Sequence, residues 1–64
     1  MRYIIKREWP TGEDRFVIRD WPTIQWTEDE TLALRMHPER VAKASYSLML
    51  TGISHSIIQK TDGQ

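Results

Sequence analysis

The sequence predicts an α+β fold with two layers and the order β-β-β-α-β. One helix packs on a small, mostly antiparallel sheet and leaves the other sheet face open. Three stretches predict this fold. Residues 2–9 and 15–21 alternate apolar with polar side chains, as strands do, and residues 38–51 repeat apolar residues at helical spacing. A helix of that length spans ~21 Å and a seven-residue strand ~23 Å, so one helix can cover one sheet.

Prolines and glycines mark the breaks between elements. Pro22 ends the second strand because proline cannot donate to a strand ladder. Pro38 suits the first helical position, and Gly52 suits a left-handed helix end. His37, at the N-cap, is not a favoured capping residue. The expected elements are strands at 2–9, 15–21 and 23–27, a turn at 10–14, a helix at 38–51 and a last strand at 53–60, in one domain of residues 1–60 with a flexible tail at 61–64.

The strand directions follow from the short connections. A five-residue turn favours an antiparallel hairpin of the first two strands. If the third strand reverses again, the helix returns the chain and the last strand lies beside the first and parallel to it. Residues 32–36 fit either a helical turn or a further piece of strand. The residues expected in the core are Tyr3, Ile5, Phe16, Ile18, Ile24 and Trp26 on the sheet, and Val41, Ala44, Leu48 and Met49 on the helix.

Composition excludes several classes of function. A chain of 64 residues forms one domain, and without cysteine it has neither disulfides nor a cysteine-ligated zinc site. Nine basic and nine acidic residues give zero formal net charge, which does not favour a nucleic-acid binder. The longest apolar runs have two or three residues, far below the ~20 of a membrane span. We therefore expect no membrane segment.

The sequence does not favour an enzyme or a metal site. Ser54 and Ser56 flank His55, but on a strand the serines point away from the histidine. No motif of a hydrolase or a phosphate-binding loop is present. His37 and His55 could meet and bind a metal with a carboxylate, but we expect His37 in solvent and His55 packed on the sheet. If His55 faces the core, it must find a hydrogen-bond partner or stay neutral. No catalytic residue, metal or cofactor is predicted.

The aromatic residues exceed what a one-helix core can enclose. The chain has three Trp, two Tyr and one Phe. The open sheet face is expected to carry Ile4, Lys6, Val17, Arg19 and Trp21. Trp and Arg are enriched at the hot spots of protein interfaces, so this face is a candidate partner-binding surface. Alternatively, Trp21 folds over its own sheet edge, and Ile4 and Val17 are ordinary exposed strand residues.

The densest run of charge is the acidic stretch Glu28, Asp29 and Glu30. It forms either a solubilising loop or a contact with a basic groove on a partner, where opposite charge would speed association. We include it among the predicted partner-binding residues. A homodimer through the open faces would cover the same apolar surface, as often happens in small domains.

The chain resembles a class of small phage and prophage proteins. These proteins have a hairpin, a Trp-Thr-x-Asp motif, a helix and a final strand. The resemblance runs from Arg2 to Lys60, and its matching residues are Trp26, Thr27, Asp29, Ala33, Met36, Val41, Ala42 and Leu48. It implies that Trp26 fills the core and that Ala33 and Met36 pack beneath the helix. The start of the chain and Asp20-x-Pro22 are also similar to the antitoxins of HicA toxins, where the helix follows the Thr without an intervening His-Pro.

The phage resemblance implies a non-catalytic protein in the host cytoplasm that binds a host protein complex and inhibits or modulates it. Anti-CRISPR proteins and inhibitors of host RNA polymerase are the precedents. Two alternatives remain open. One is a nucleic-acid-binding accessory module that uses Arg2, Lys6 and Arg19 with Trp21. The other is a small hydrolase or metal site around His55.

Overall fold

The computed structural model describes residues 1–8 and 12–60. Its elements are β1 (Arg2–Glu8), β2 (Asp14–Arg19), β3 (Gln25–Thr27), a 3-10 turn (Glu30–Leu32), α1 (Pro38–Leu50) and β4 (Ser56–Lys60). The predicted α+β class and the order β-β-β-α-β are thereby confirmed. Trp9, Pro10, Thr11 and the tail 61–64, for which a strand end, a turn and a flexible tail were predicted, lie outside the described residues.

The sheet has the order β3-β2-β1-β4, and every neighbouring pair is antiparallel. β4 lies beside β1 as predicted, but the prediction that it runs parallel to β1 is wrong. The reason is the short segment before the helix, in which Met36 pairs with Tyr3 through two backbone hydrogen bonds of 2.8 Å. This segment carries the chain back to the first residues of β1. The helix therefore starts at that end, and β4 starts at the other end, where Ser56 pairs with Lys6.

The core lies between α1 and one face of the sheet. Its buried members are Ile5, Val17, Met36, Val41, Ala44 and Leu48, with Tyr3, Ile24, Trp26, Leu34 and Ile53 packed against them. The prediction that Phe16 and Ile18 face the helix is wrong, as is the exposed position of Val17. Phe16 is paired with Lys6, and directly opposite residues share a face, so Val17 points to the helix together with Ile5. A shift of one residue in this assignment moves every side chain of a strand to the other face.

The second sheet face carries no α-helix among the described residues, but the 3-10 turn crosses part of it. Glu30 of this turn pairs with Lys60 of β4 at 2.5 Å. The turn also contacts β2, which is two strands away from β4 in the sheet. At the usual strand spacing, β2 and β4 are ~10 Å apart. Lys60 is on the same face as Ile4 because of its register with Arg2. Ile4 and Phe16 are only 1% and 6% exposed, so the predicted exposure of Ile4 is wrong.

The helix ends agree with the sequence signals. Pro38 occupies the first turn, and Gly52 has a φ of +75° just beyond the last turn. His37 makes no capping hydrogen bond with its side chain. None of the described helices is long and apolar enough to cross a membrane.

Candidate partner-binding surface

Trp21 is the most exposed aromatic side chain of the described residues, at 77% of its full accessibility. It follows the end of β2 and precedes Pro22, to which it is joined by a cis peptide bond. Because β2 is antiparallel to β1, Trp21 lies at the end of the sheet where β1 begins. α1 begins at the same end, since Arg2 is hydrogen-bonded to His37, the residue before the helix. The indole thus projects beside the first turns of α1.

The residue before Trp21 anchors this loop to the helix. Arg40 donates from Nε and from Nη2 to the two carboxylate oxygens of Asp20, each at 2.7 Å. Such bidentate pairs are stronger and more directional than single hydrogen bonds. The hydrogen bonds from Arg40 lower the pKa of Asp20 below its usual value, against the opposing effect of burial. The same bonds raise the pKa of Arg40. The Asp20–Arg40 pair therefore fixes where the Trp21 loop sits on α1.

A groove of about 420 Å³ separates Trp21 from the helix. We call it the Trp21 groove; it is lined by Asp20, Trp21, Pro22, Ile24, Arg40, Lys43, Ala44 and Ser47. Its apolar surface comes from the loop and from Ala44, and its charged rim comes from the helix. Asp20 and Arg40 neutralise each other, so Lys43 is left as the uncompensated charge of the lining. The groove is therefore apolar at its base and positive at its rim.

The other predicted partner-binding residues do not join this surface. Ile4 and Val17 are buried, and Lys6 forms ion pairs with Glu8 at 3.7 Å and with Asp14 at 3.4 Å. Of the predicted sheet-face residues, Arg19 and Trp21 remain exposed near each other. The predicted surface is therefore reduced to the end of the sheet that holds the Trp21 groove.

The acidic stretch has partners within the chain. Glu28 pairs with Arg15 at 3.0 Å, near the start of β2 and so away from Trp21. Asp29 caps the 3-10 turn: its Oδ1 accepts hydrogen bonds from the Thr31 hydroxyl at 2.7 Å and from the Thr31 backbone N–H at 2.9 Å. These two bonds lower the pKa of Asp29. Glu30 is bound to Lys60, so each of the three acids has a partner within the chain.

The two histidines lie at different places and do not meet. His37 Nε2 accepts a hydrogen bond from Arg2 at 2.6 Å, at the start of α1. His55 Nδ1 lies 3.0 Å from the backbone oxygen of Ile53, to which it must donate, and Nε2 lies 2.6 Å from the Ser45 hydroxyl, from which it accepts when the ring is neutral. Among the residues that the structure describes, no three His, Asp or Glu side chains group in a way that could hold a metal.

The Ser45–His55 pair is a contact that the sequence analysis missed. It joins α1 to the segment that leads into β4, beside a hollow of about 550 Å³ lined in part by Met49 and Ile57. The signal was present in the sequence, because Ser45 falls on the apolar stripe of the helix and His55 alternates with Ile53 and Ile57. His55 Nδ1 is held by a carbonyl oxygen and not by the carboxylate found in Ser-His-Asp triads. These two contacts thus provide hydrogen-bond partners for both ring nitrogens of a half-buried histidine.

Comparisons of the chain with protein-family models, with curated proteins and with solved structures found no match. A function is therefore proposed from two features of the structure. The indole of Trp21 is exposed, and its loop is anchored to α1 by the hydrogen bonds between Asp20 and Arg40.

Proposed function

We propose that this protein is a small non-catalytic binding protein that attaches to a protein partner through Trp21 and the Trp21 groove. The observation that carries the proposal is the 77% exposure of the Trp21 indole at a fixed position on the surface. An aromatic side chain of this size buries 150–250 Å² when it is covered, and Trp is the residue type most enriched at interface hot spots. A partner with a matching pocket would gain more from Trp21 than from any other exposed side chain on this surface.

The anchoring of the loop supports the same proposal. Binding costs the entropy of every side chain and loop that it orders. Asp20 and Arg40 already hold the residue next to Trp21 against α1 through two short hydrogen bonds. A partner therefore meets an indole whose backbone is held in place before binding, which favours tight attachment through a small surface.

The resemblance to small phage and prophage proteins supports a more specific role. It suggests that the partner is a host protein complex that this protein inhibits or modulates, as anti-CRISPR proteins do. Trp26, Thr27 and Asp29 carry that resemblance, and their positions in the fold are structural: Trp26 packs against the core and Asp29 caps a turn. The resemblance thus supports the class of protein, and Trp21 supplies the contact.

Affinity capture from a bacterial lysate tests this function. We expect the wild-type protein to retain a specific set of proteins that Trp21→Ala does not retain. Tyr46→Ala is the matched control, because Tyr46 is also an exposed aromatic residue, at 63%, but does not line the groove. Both variants should keep the wild-type circular dichroism spectrum. The proposal is wrong if Trp21→Ala retains the same proteins as the wild type and Tyr46→Ala.

A further inference from the structure

We propose that the Trp21 groove binds an acidic segment of the partner, in which an apolar side chain is flanked by Asp or Glu. This proposal rests on the proposed function and adds the chemical class of the segment that is bound. The apolar side chain would lie against Trp21, Pro22 and Ile24, and the carboxylates would meet the cations at the rim.

The charge around the groove is positive. Lys43 lines it, and Arg19 lies two residues before Trp21. In the parts of the chain that the structure describes, neither side chain has an acidic partner within ion-pair distance. Glu39, in the first turn of α1, is the acid nearby that also has no such partner. Because Asp20 is already neutralised by Arg40, Lys43 and Arg19 outweigh the single charge of Glu39.

Acidic residues are collected at the other end of the sheet, where β1 ends and β2 begins. Four carboxylates lie there, and two cations are paired with them. These acids are Glu8, Glu13, Asp14 and Glu28, and the cations are Lys6 and Arg15. Arg7 lies opposite Arg15 at the same end, so these four acids face three cations and leave an excess of one negative charge. The zero net charge therefore combines a small acidic excess at this end with a small basic excess at the groove. Such a distribution favours the approach of an acidic partner to the groove end.

The shape and chemistry of the groove suit a short peptide segment. Its volume of about 420 Å³ is within the range of ~300–1,000 Å³ typical of ligand pockets, and its base is apolar. A second copy of this chain placed symmetrically on the groove would bring together two surfaces with the same excess of positive charge. Nucleic acid would bring a phosphate with every nucleotide, whereas the groove lining offers one uncompensated cation, Lys43. An acidic peptide with one apolar side chain satisfies both the base and the rim.

Selection from a library of random nine-residue peptides, carried out on the immobilised full-length protein, tests this inference. We expect enriched peptides to share an apolar residue next to Asp or Glu. For such a peptide, Trp21→Ala and Lys43→Glu should each raise the Kd at least about tenfold, as expected for hot-spot residues. Tyr46→Ala and Arg35→Glu are the matched controls: they remove an exposed ring and reverse an exposed cation outside the groove lining. They should change the Kd by less than about threefold, and added salt should weaken wild-type binding.

The outcomes separate this inference from the proposed function. One outcome is that the enriched peptides depend on Trp21 but lack acidic residues, and that neither Lys43→Glu nor salt changes their Kd. This outcome overturns the acidic segment and leaves the binding role of Trp21 intact. If none of the enriched peptides depends on Trp21, both the acidic segment and the proposed function are overturned. A dimer in sedimentation that Trp21→Ala dissociates, or a labelled oligonucleotide that Trp21→Ala releases, would assign the groove to a second copy or to nucleic acid and also overturn the inference.

Discussion

Gly52 ends α1 in a conformation that most residues avoid. Its φ is +75°, and its N–H and that of Ile53 donate to the carbonyls of Met49 and Leu48, which closes the helix end. A side chain at position 52 would meet nothing within 4 Å, so the backbone conformation alone sets the cost of a substitution. We expect Gly52→Ala to lower the free energy of unfolding by about 1 kcal/mol in urea titrations. Gly52→Asn should lose less, because Asn tolerates this region better; equal stability of Gly52→Ala and wild type would contradict the assignment.

Asp20 makes the stability of the fold depend on pH. Its pKa is lower in the folded protein than its ordinary value of 3.8, because Arg40 donates hydrogen bonds to the charged carboxylate. The stabilisation is therefore fully present above that ordinary value and is lost as the pH falls through the lowered, folded-state pKa. We expect Asp20→Asn to melt at a lower temperature than the wild type at pH 7.

The difference between the two melting temperatures should shrink when the pH is lowered from 7 to a value below the folded-state pKa of Asp20, where its carboxylate is protonated in the wild type as well. Glu39→Gln is the control, because Glu39 is a neighbouring acid without an ion-pair partner among the described residues. It should melt close to the wild type at both pH values. A difference for Asp20→Asn that stays constant with pH would show that the ion pair does not stabilise the loop.

Single residues were harder to place from the sequence than whole elements. Phe16 is larger than Val17, and its size suggests a core position, yet the pairing of Phe16 with Lys6 turns Phe16 away from the helix. The pairing register decides this, and a strand's own residues do not reveal it. A hydrogen-bond partner for His55 was one of two expected outcomes if the ring faces the core, but the identity of that partner, Ser45, depends on how the helix lies on the sheet.

At the scale of elements, α1 has two sharply different faces. Leu48 is 2% exposed in the core, whereas its neighbour Met49 is 68% exposed, so the prediction that Met49 belongs to the core is wrong. We expect Leu48→Ala to lower the free energy of unfolding by about 2–5 kcal/mol, because it leaves a cavity in a small core. Met49→Ala should change it by no more than about 0.5 kcal/mol. Similar losses for the two variants in urea titrations would mean that the helix is rotated relative to the sheet.

The direction of β4 depends on the short segment that precedes α1. The helix boundaries were predictable because Pro38 and Gly52 mark them directly. The direction of β4 was not, because it depends on the single bridge between Tyr3 and Met36, which moves the start of the helix to the other end of β1. The segment of about three residues around Met36 is too short for its pattern of apolar and polar residues to distinguish a β-bridge from a turn.

At the scale of the whole molecule, the sequence predicted one helix on one sheet and a surplus of aromatic residues at the surface. The surplus is real at Trp21, but it lies at an end of the sheet beside α1. Two residues of the predicted sheet face are buried: Ile4 is 1% exposed, and Val17 belongs to the core under the helix. The separation of charge between the two ends could not be derived from the net charge of zero, because it depends on which residues the strands bring together.

The proposed function requires Trp21 to be the anchor of a protein interface. The most direct measurement is the Kd of the partner captured from lysate, by calorimetry with the purified wild type, Trp21→Ala and Tyr46→Ala. We expect Trp21→Ala to weaken binding at least about tenfold, and Tyr46→Ala to bind as the wild type does. Equal affinity of the wild type and Trp21→Ala, with both proteins folded, would contradict the claim.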